Sequence, residues 1–125
     1  MQPTPPTSQT QLDQRHHHLF DMIDALPAQP AASFAAAYHK LVAAIEQDFR
    51  DEEQWMDGCQ CAGAHQHREQ HARMQAGLHH AAAALERGDP APARQAAAAL
   101  REWLPFHIAT QDRHLLHALR QAAAP

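Results

Sequence analysis

An all-α fold, an antiparallel up-down-up-down four-helix bundle, follows from three features of the sequence. Ala, Leu, Gln, Glu and Arg are abundant and β-branched residues few, so helix propensity runs through the chain. Pro and Gly punctuate it at Pro27 to Pro30, at Gly58 to Gly63 and at Gly88-Asp89-Pro90. The segments between these breaks repeat their apolar residues at helical spacing, and short connections make sequential helices antiparallel neighbours.

The elements follow in order. Helix A is expected over about 11–26, with Leu12, His16, Leu19, Ile23 and Leu26 in one narrow sector. Helix B, over about 33–57 with Ser33 as its N-cap, carries Phe34, Tyr38, Leu41, Ile45, Phe49 and Met56 on one face. Asp48 and Glu52 fall in the centre of that face, whereas Glu46, Gln47, Asp51 and Gln54 do not. Helix C, over about 63–87, runs Ala64, His67, His71, Met74, Leu78 and Leu85. Gly88 then suits the residue after a helix, Asp89 the next N-cap and Pro90 the first helical position. Helix D, over about 90–120, runs Leu100, Trp103, Leu104, His107, Ile108, Leu115 and Leu119. Asp112 lies at its edge, ~140° round from His107 at regular α-helical period. Pro105, inside helix D, is expected to kink it. Residues 1–10 are Pro/Thr/Gln-rich and read as a disordered tail, and 121–125 as a C-terminal tail.

Composition narrows the function. At 125 residues the chain is one domain, and a formal charge of −4 with scattered Lys and Arg argues against a nucleic-acid partner. No run reaches the ~18–20 apolar residues of a membrane span, and the start lacks the charged and apolar regions of a signal peptide. Cys59 and Cys61 are too close in sequence for an easy disulfide and read as exposed thiols, so a reducing cytoplasm is the expected location. A separate zinc site at Cys59-x-Cys61-x3-His65-x-His67 fits no common module. Histidine is the outlier, at 12 residues.

The chemistry lies in seven side chains: His16, Asp48, Glu52, His67, His71 and His107 on these stripes, and Asp112 at the edge of helix D, which periodicity alone would not pick. A polar group on a core face costs several kcal/mol unless something pairs with it. Asp48-x3-Glu52 puts two carboxylates on one helix face, where they repel unless a cation lies between them. A partner arginine would also serve, but none falls at a core position on the stripes. His67-x3-His71 aims two imidazoles the same way. Singly, His16 or His107 reads as a satisfied core histidine; together, the seven match bundles that hold dimetal centres. Imidazole with carboxylate suits Fe, Mn or Zn, and Glu52 and Asp112 are the candidates to bridge two cations. His17, His18, His39, His79, His80, His114 and His117 fall mostly off these faces and read as solvated.

At these residues the chain resembles the hemerythrin family, in particular its single-domain bacterial members. Leu12-Asp13-Gln14-Arg15-His16-His17-His18-Leu19-Phe20 is similar to the family's helix A signature. Asp48-Phe49-Arg50-Asp51-Glu52-Glu53-Gln54-Trp55-Met56 resembles the His-Phe-x-x-Glu-Glu-x-x-Met of helix B. His67-Arg68-Glu69-Gln70-His71 looks like the His-x3-His of helix C, and Trp103 to Asp112 like the Trp-Leu-x-x-His-Ile-x-x-x-Asp of helix D. The resemblance implies two Fe ions in a non-heme, oxo- or hydroxo-bridged diiron centre with O2 as ligand. His67, His71 and His107 would hold one iron, His16 the other, and Glu52 and Asp112 would bridge them. Trp103 and Leu104 would line the small apolar O2 pocket.

The chain departs from that pattern at Asp48, which stands where the family has a histidine. His39 points the opposite way on the same helix and does not replace it. An extra carboxylate makes the site more anionic, which favours Fe(III) and predicts faster autoxidation and a shorter-lived oxygenated form. The lead-in before helix A is also shorter and more polar than in relatives. The favoured function is O2 binding for storage, delivery or sensing, with storage or delivery ahead because no output domain fits in this length. An O2-consuming enzyme is the implied partner. The alternatives are a diiron oxidase- or peroxidase-like enzyme, toward which Asp48 moves the site one step, and an iron- or zinc-buffering protein, which the histidine excess suits.

Overall fold

The computed structural model describes residues 3–124. Four long helical rods are present: α1 (Gln9–Ala25), α2 (Ala31–Cys59), α3 (Ala64–Glu86), and a fourth made of α4 (Ala91–His107), a wide turn (Ile108–Asp112) and α5 (Arg113–Ala123). A short 3-10 turn, Leu26–Ala28, joins α1 to α2. The fold is the all-α four-helix bundle that the punctuation and period predict. Among the described residues, no helix is long and apolar enough to cross a membrane.

Helix ends follow local chemistry. Ser8 caps α1, its Oγ accepting from the Gln11 amide at 3.2 Å, so the helix starts ahead of the expected boundary. The start of α2 differs from expectation. It begins at Ala31 after Pro30, and Ser33 lies inside the first turn with its hydroxyl donating to Gln29 Oε1 at 3.0 Å. Pro30 has no amide of its own to leave unpaired, and its carbonyl accepts from the Ser33 amide at 3.0 Å, closing the first turn without a side-chain cap. Gly88 takes φ +90° after α3, and Asp89 Oδ1 accepts from the Ala91 amide at 3.2 Å, which gives the junction its expected chemistry.

Two features depart from the sequence reading. Cys59 and Cys61 are joined as a disulfide rather than standing as separate thiols. Gln60, in the left-handed region at φ 51°, turns the chain between them and brings their Cα atoms to 5.2 Å, within disulfide reach. The lead-in also makes contacts of its own: the Trp55 indole donates to the Pro3 carbonyl at 2.9 Å. Met1 and Gln2 of the expected 1–10 tail, and Pro125 of the expected 121–125 tail, lie outside the described residues.

Apolar side chains of all four rods meet at the end of the bundle away from the polar centre. Leu19, Phe34, Tyr38, Leu41, Ile45, Leu78, Leu100 and Leu104 are fully or almost fully buried there, and Tyr38 donates to the Leu78 carbonyl at 2.8 Å. In the fourth rod, the turn after Pro105 widens over Ile108–Asp112 to the π form, seen in the bond from the Arg113 amide back to the Ile108 carbonyl. In π geometry residues five apart lie one above the other. That widening carries Asp112 from the edge, where a regular helix would leave it, to a position under His107.

A π turn is an α-helix carrying one extra residue, so its removal leaves the downstream face in phase. Deletion of Ala109 is therefore expected to keep the cooperative thermal melt and the protein's metal content, since Asp112 would follow His107 by four residues. A regular helix would instead be rotated ~100° beyond the deletion. Loss of the cooperative melt, followed by circular dichroism, would contradict the π assignment.

Candidate metal centre

All seven candidate residues converge, each 5% exposed or less. Helix α1 supplies His16, α2 supplies Asp48 and Glu52, α3 supplies His67 and His71, α4 supplies His107, and the π turn supplies Asp112. The donors form two adjoining groups. Glu52, His67, His71, His107 and Asp112 have donor atoms within 4.8 Å of one another, as do His16, Asp48 and Glu52.

Two carboxylates face both groups. Glu52 Oε1 lies 3.1 Å from His71 Nε2 and 3.3 Å from His67 Nε2, while its Oε2 lies 3.4 Å from His16 Nε2. Asp112 Oδ1 lies 3.0 Å from His67 Nε2 and 3.2 Å from His107 Nε2, while its Oδ2 lies 3.3 Å from His16 Nε2. His71 and His107 turn Nε2 toward each other at 3.2 Å. Among the described residues, both oxygens of Asp48, Glu52 and Asp112, His67 Nε2 and both ring nitrogens of His16 have no hydrogen-bond partner, though buried. Acceptors and lone pairs crowded together without donors are what a bound cation resolves, so the donor set fits a metal pair on its own chemistry.

Residues outside the seven complete the centre. His71 Nδ1 donates to Glu53 Oε2 at 3.0 Å, and His107 Nδ1 donates to Gln70 Oε1 at 2.9 Å. These bonds fix the tautomer that leaves Nε2 free and orient each ring toward the donors opposite. Arg68 steadies Glu53, Nη1 to Oε1 at 3.3 Å. The Phe49 ring stacks on His71 at 3.9 Å and Trp103 on His107 at 4.3 Å. Leu104 is fully buried. Half-buried Trp103 lines a cleft of about 530 Å³ between α3 and α4, and a cleft of about 290 Å³ beside Pro105 reaches His16. The seven histidines expected on outer faces are all exposed.

No arginine occupies a core position on the stripes, as expected, but one reaches the core carboxylates from beside them. Arg15 Nη2 lies 2.8 Å from Asp48 Oδ1 and 3.0 Å from Asp51 Oδ2, and donates to the Asp48 carbonyl at 3.2 Å. Its guanidinium covers the Trp55 ring at 4.6 Å. Arg15 sits beside the helix A stripe, not on it, and its long stem carries the charge inward; a count of stripe positions misses such a residue. Asp51, set aside on the same count, is 9% exposed and serves as the second carboxylate of this pair. The negative charge of Asp48 therefore has a positive partner, shared with Asp51, which lessens the anionic character expected of the site.

The fold and this donor set define a cation-binding helical bundle. The family model for the hemerythrin HHE cation binding domain matches residues 7–119, and the chain belongs to the hemerythrin family. It is also similar to a bacteriohemerythrin from Ralstonia nicotianae, 27% identical over 109 residues that cover 87% of this chain and 80% of that one. No solved structure matches the chain.

Electrostatics of the metal-free centre set its pH response. Burial opposes charge on His16, but the carboxylates of Asp48, Glu52 and Asp112 that face its ring outweigh it and raise the pKa from 6.5 to about 10. Burial likewise opposes charge on His67, and Asp112 and Glu52 raise it to about 9. For Glu52, burial and Asp48 push upward, yet His16, His67 and His71 hold it well below the usual carboxylate range. The raised histidines stabilise the metal-free fold fully below pH 6.5, and that contribution is lost as pH rises through about 9 to 10. Thermal melts of metal-free protein should thus show Tm falling across that upper range. Metal affinity should rise over it, because binding displaces the same protons. A flat Tm would show that these carboxylate–imidazole contacts do not carry charge. Glu53→Gln is expected to weaken metal binding by about 10- to 100-fold with the fold intact, measured by competition with a chelator.

Proposed function

We propose that this hemerythrin-family chain holds two iron ions and binds O2 reversibly, as a store or carrier serving an O2-consuming enzyme. The observation that supports this reading is the two-sided presentation of Glu52 and Asp112, each with one oxygen toward the three-histidine group and one toward His16. Carboxylates so arranged suit bridging between two cations. His67, His71 and His107 would hold one ion, and His16 and Asp48 the other. When bound, the two irons supply the two electrons that reversible O2 binding draws on. The protein keeps the rings of His71 and His107 fixed through Glu53 and Gln70, excludes bulk water with Phe49, Trp103 and Leu104, and offsets Asp48 with Arg15. The similarity to a bacteriohemerythrin supports the same reading.

The test is a visible spectrum of anaerobically Fe(II)-loaded protein before and after O2, with iron counted per chain. Two irons and a charge-transfer band that disappears on deoxygenation are expected. Direct, irreversible conversion to an oxidised spectrum would replace this reading with the oxidase- or peroxidase-like one. A failure to retain two irons would leave metal buffering. Asp48→His, which restores the family's residue, is expected to change the lifetime of the oxygenated form only modestly because Arg15 already offsets Asp48. A large gain in lifetime would show that the offset is ineffective.

A further inference from the structure

The two metal positions differ in donor chemistry. Three imidazoles, His67, His71 and His107, face the first. The second has one imidazole, His16, against oxygens from Asp48, Glu52 and Asp112. From this asymmetry we infer that the two positions differ in selectivity, so that iron fills both when it alone is supplied but Mn(II) in excess replaces it only at the oxygen-rich position, with Arg15 as the positioning residue that makes the second one. The inference rests on the dinuclear reading given above.

Nitrogen-rich donor sets favour iron over manganese, whereas carboxylate oxygen suits manganese and narrows the difference between the two. A single imidazole still prefers a transition metal to magnesium or calcium, which take oxygen ligands. Arg15 gives Asp48 its direction. Its Nη2 lies 2.8 Å from Oδ1, while Oδ2 faces His16 Nε2 at 3.4 Å. The guanidinium thus lies against one oxygen as an ion pair without a hydrogen bond to it, and the other oxygen faces His16. Arg15 also holds the Asp48 backbone through the carbonyl bond at 3.2 Å, and Asp51 and Trp55 hold the guanidinium itself. Asp48 is 5% exposed and cannot turn to water for either oxygen. This is how an outer residue fixes a metal ligand.

The experiment reloads the metal-free full chain anaerobically with one equivalent of Fe(II) and about a tenfold excess of Mn(II), the condition that lets ligand preference override iron's higher intrinsic affinity. Excess metal is removed, both metals are counted per chain, and anomalous diffraction at the two absorption edges assigns the positions. One Fe among the histidines and one Mn beside Asp48 are expected. In Asp48→His the same loading should put Fe at both positions in a fraction of chains and lower the Mn count. In Arg15→Gln the histidine-rich position should keep its Fe while the second ion is lost about 10- to 100-fold more readily to a chelator. Equal Fe:Mn ratios at the two positions, or unchanged ratios in both variants, would overturn the inference. Loading with saturating Fe(II) alone separates the two levels of argument. If wild type retains only one ion there, the dinuclear reading fails; if it retains two and the mixed loading shows no preference, only the metal assignment fails.

Discussion

Three carboxylates and four imidazoles taken out of water inside an apolar bundle form the constraint on which the rest of the molecule depends. Each of these groups, buried alone, would cost more than most single packing interactions return. The cost is contained because the groups are placed against one another and aimed at shared points, with their unpaired atoms pointing inward. No rod supplies a complete set of donors, so the centre ties together all four. The apolar half of the bundle packs side chains of all four rods around Tyr38, Ile45 and Leu100. The polar half depends on the register of the rods, since a shift of one residue on any rod would separate donors that lie within 3.0 to 3.4 Å of one another.

Arg15 and Asp48 show how a charged substitution can be accommodated in such a place. An isolated negative charge at Asp48 would alter both metal affinity and redox preference. The guanidinium beside it, shared with Asp51, offsets part of that charge while leaving one carboxylate oxygen directed at His16. Arg15 could not remain there without its own support. Asp51 supplies a second carboxylate, the Trp55 ring covers the cation, and the Trp55 indole is itself held by the Pro3 carbonyl. The lead-in thus connects through two residues, Trp55 and Arg15, to Asp48, a donor of the centre.

Legibility in the sequence varied with the kind of geometry involved. Pairs spaced by four residues, Asp48 with Glu52 and His67 with His71, were readable because regular α-helical period places them on one face. His16 and His107 were readable because they interrupt apolar stripes. Asp112 was not, since the π turn that brings it under His107 breaks the period by which a face is read; the family resemblance supplied it. Arg15 and Asp51 were missed because both lie beside their stripes and meet through the reach of an arginine, which residue positions do not encode. Glu53 and Gln70 were missed for a related reason: each is distinguished only by the ring nitrogen it faces on another helix. The Cys59–Cys61 pairing depended on one left-handed residue, Gln60, a conformation that glutamine seldom adopts and that the sequence did not signal.

The centre is also unequally organised, and the inequality follows from the same outer contacts. His71 and His107 each have an Nδ1 partner, so two of the three imidazoles at the first position are held at both ends before any ion arrives. His16 has none among the described residues. Its ring is oriented by packing and by the carboxylates it faces, and these would themselves reorient on metal binding. The second position therefore relies on Arg15 for the rigidity that Glu53 and Gln70 give the first. Ligands fixed in advance lose less freedom on binding, so the histidine-rich position has the advantage for the first ion. On the dinuclear reading proposed above, an ion held there by Glu52 and Asp112 would leave their other oxygens facing His16 for the second. On that reading, the order of assembly would follow which side chains have a partner behind them.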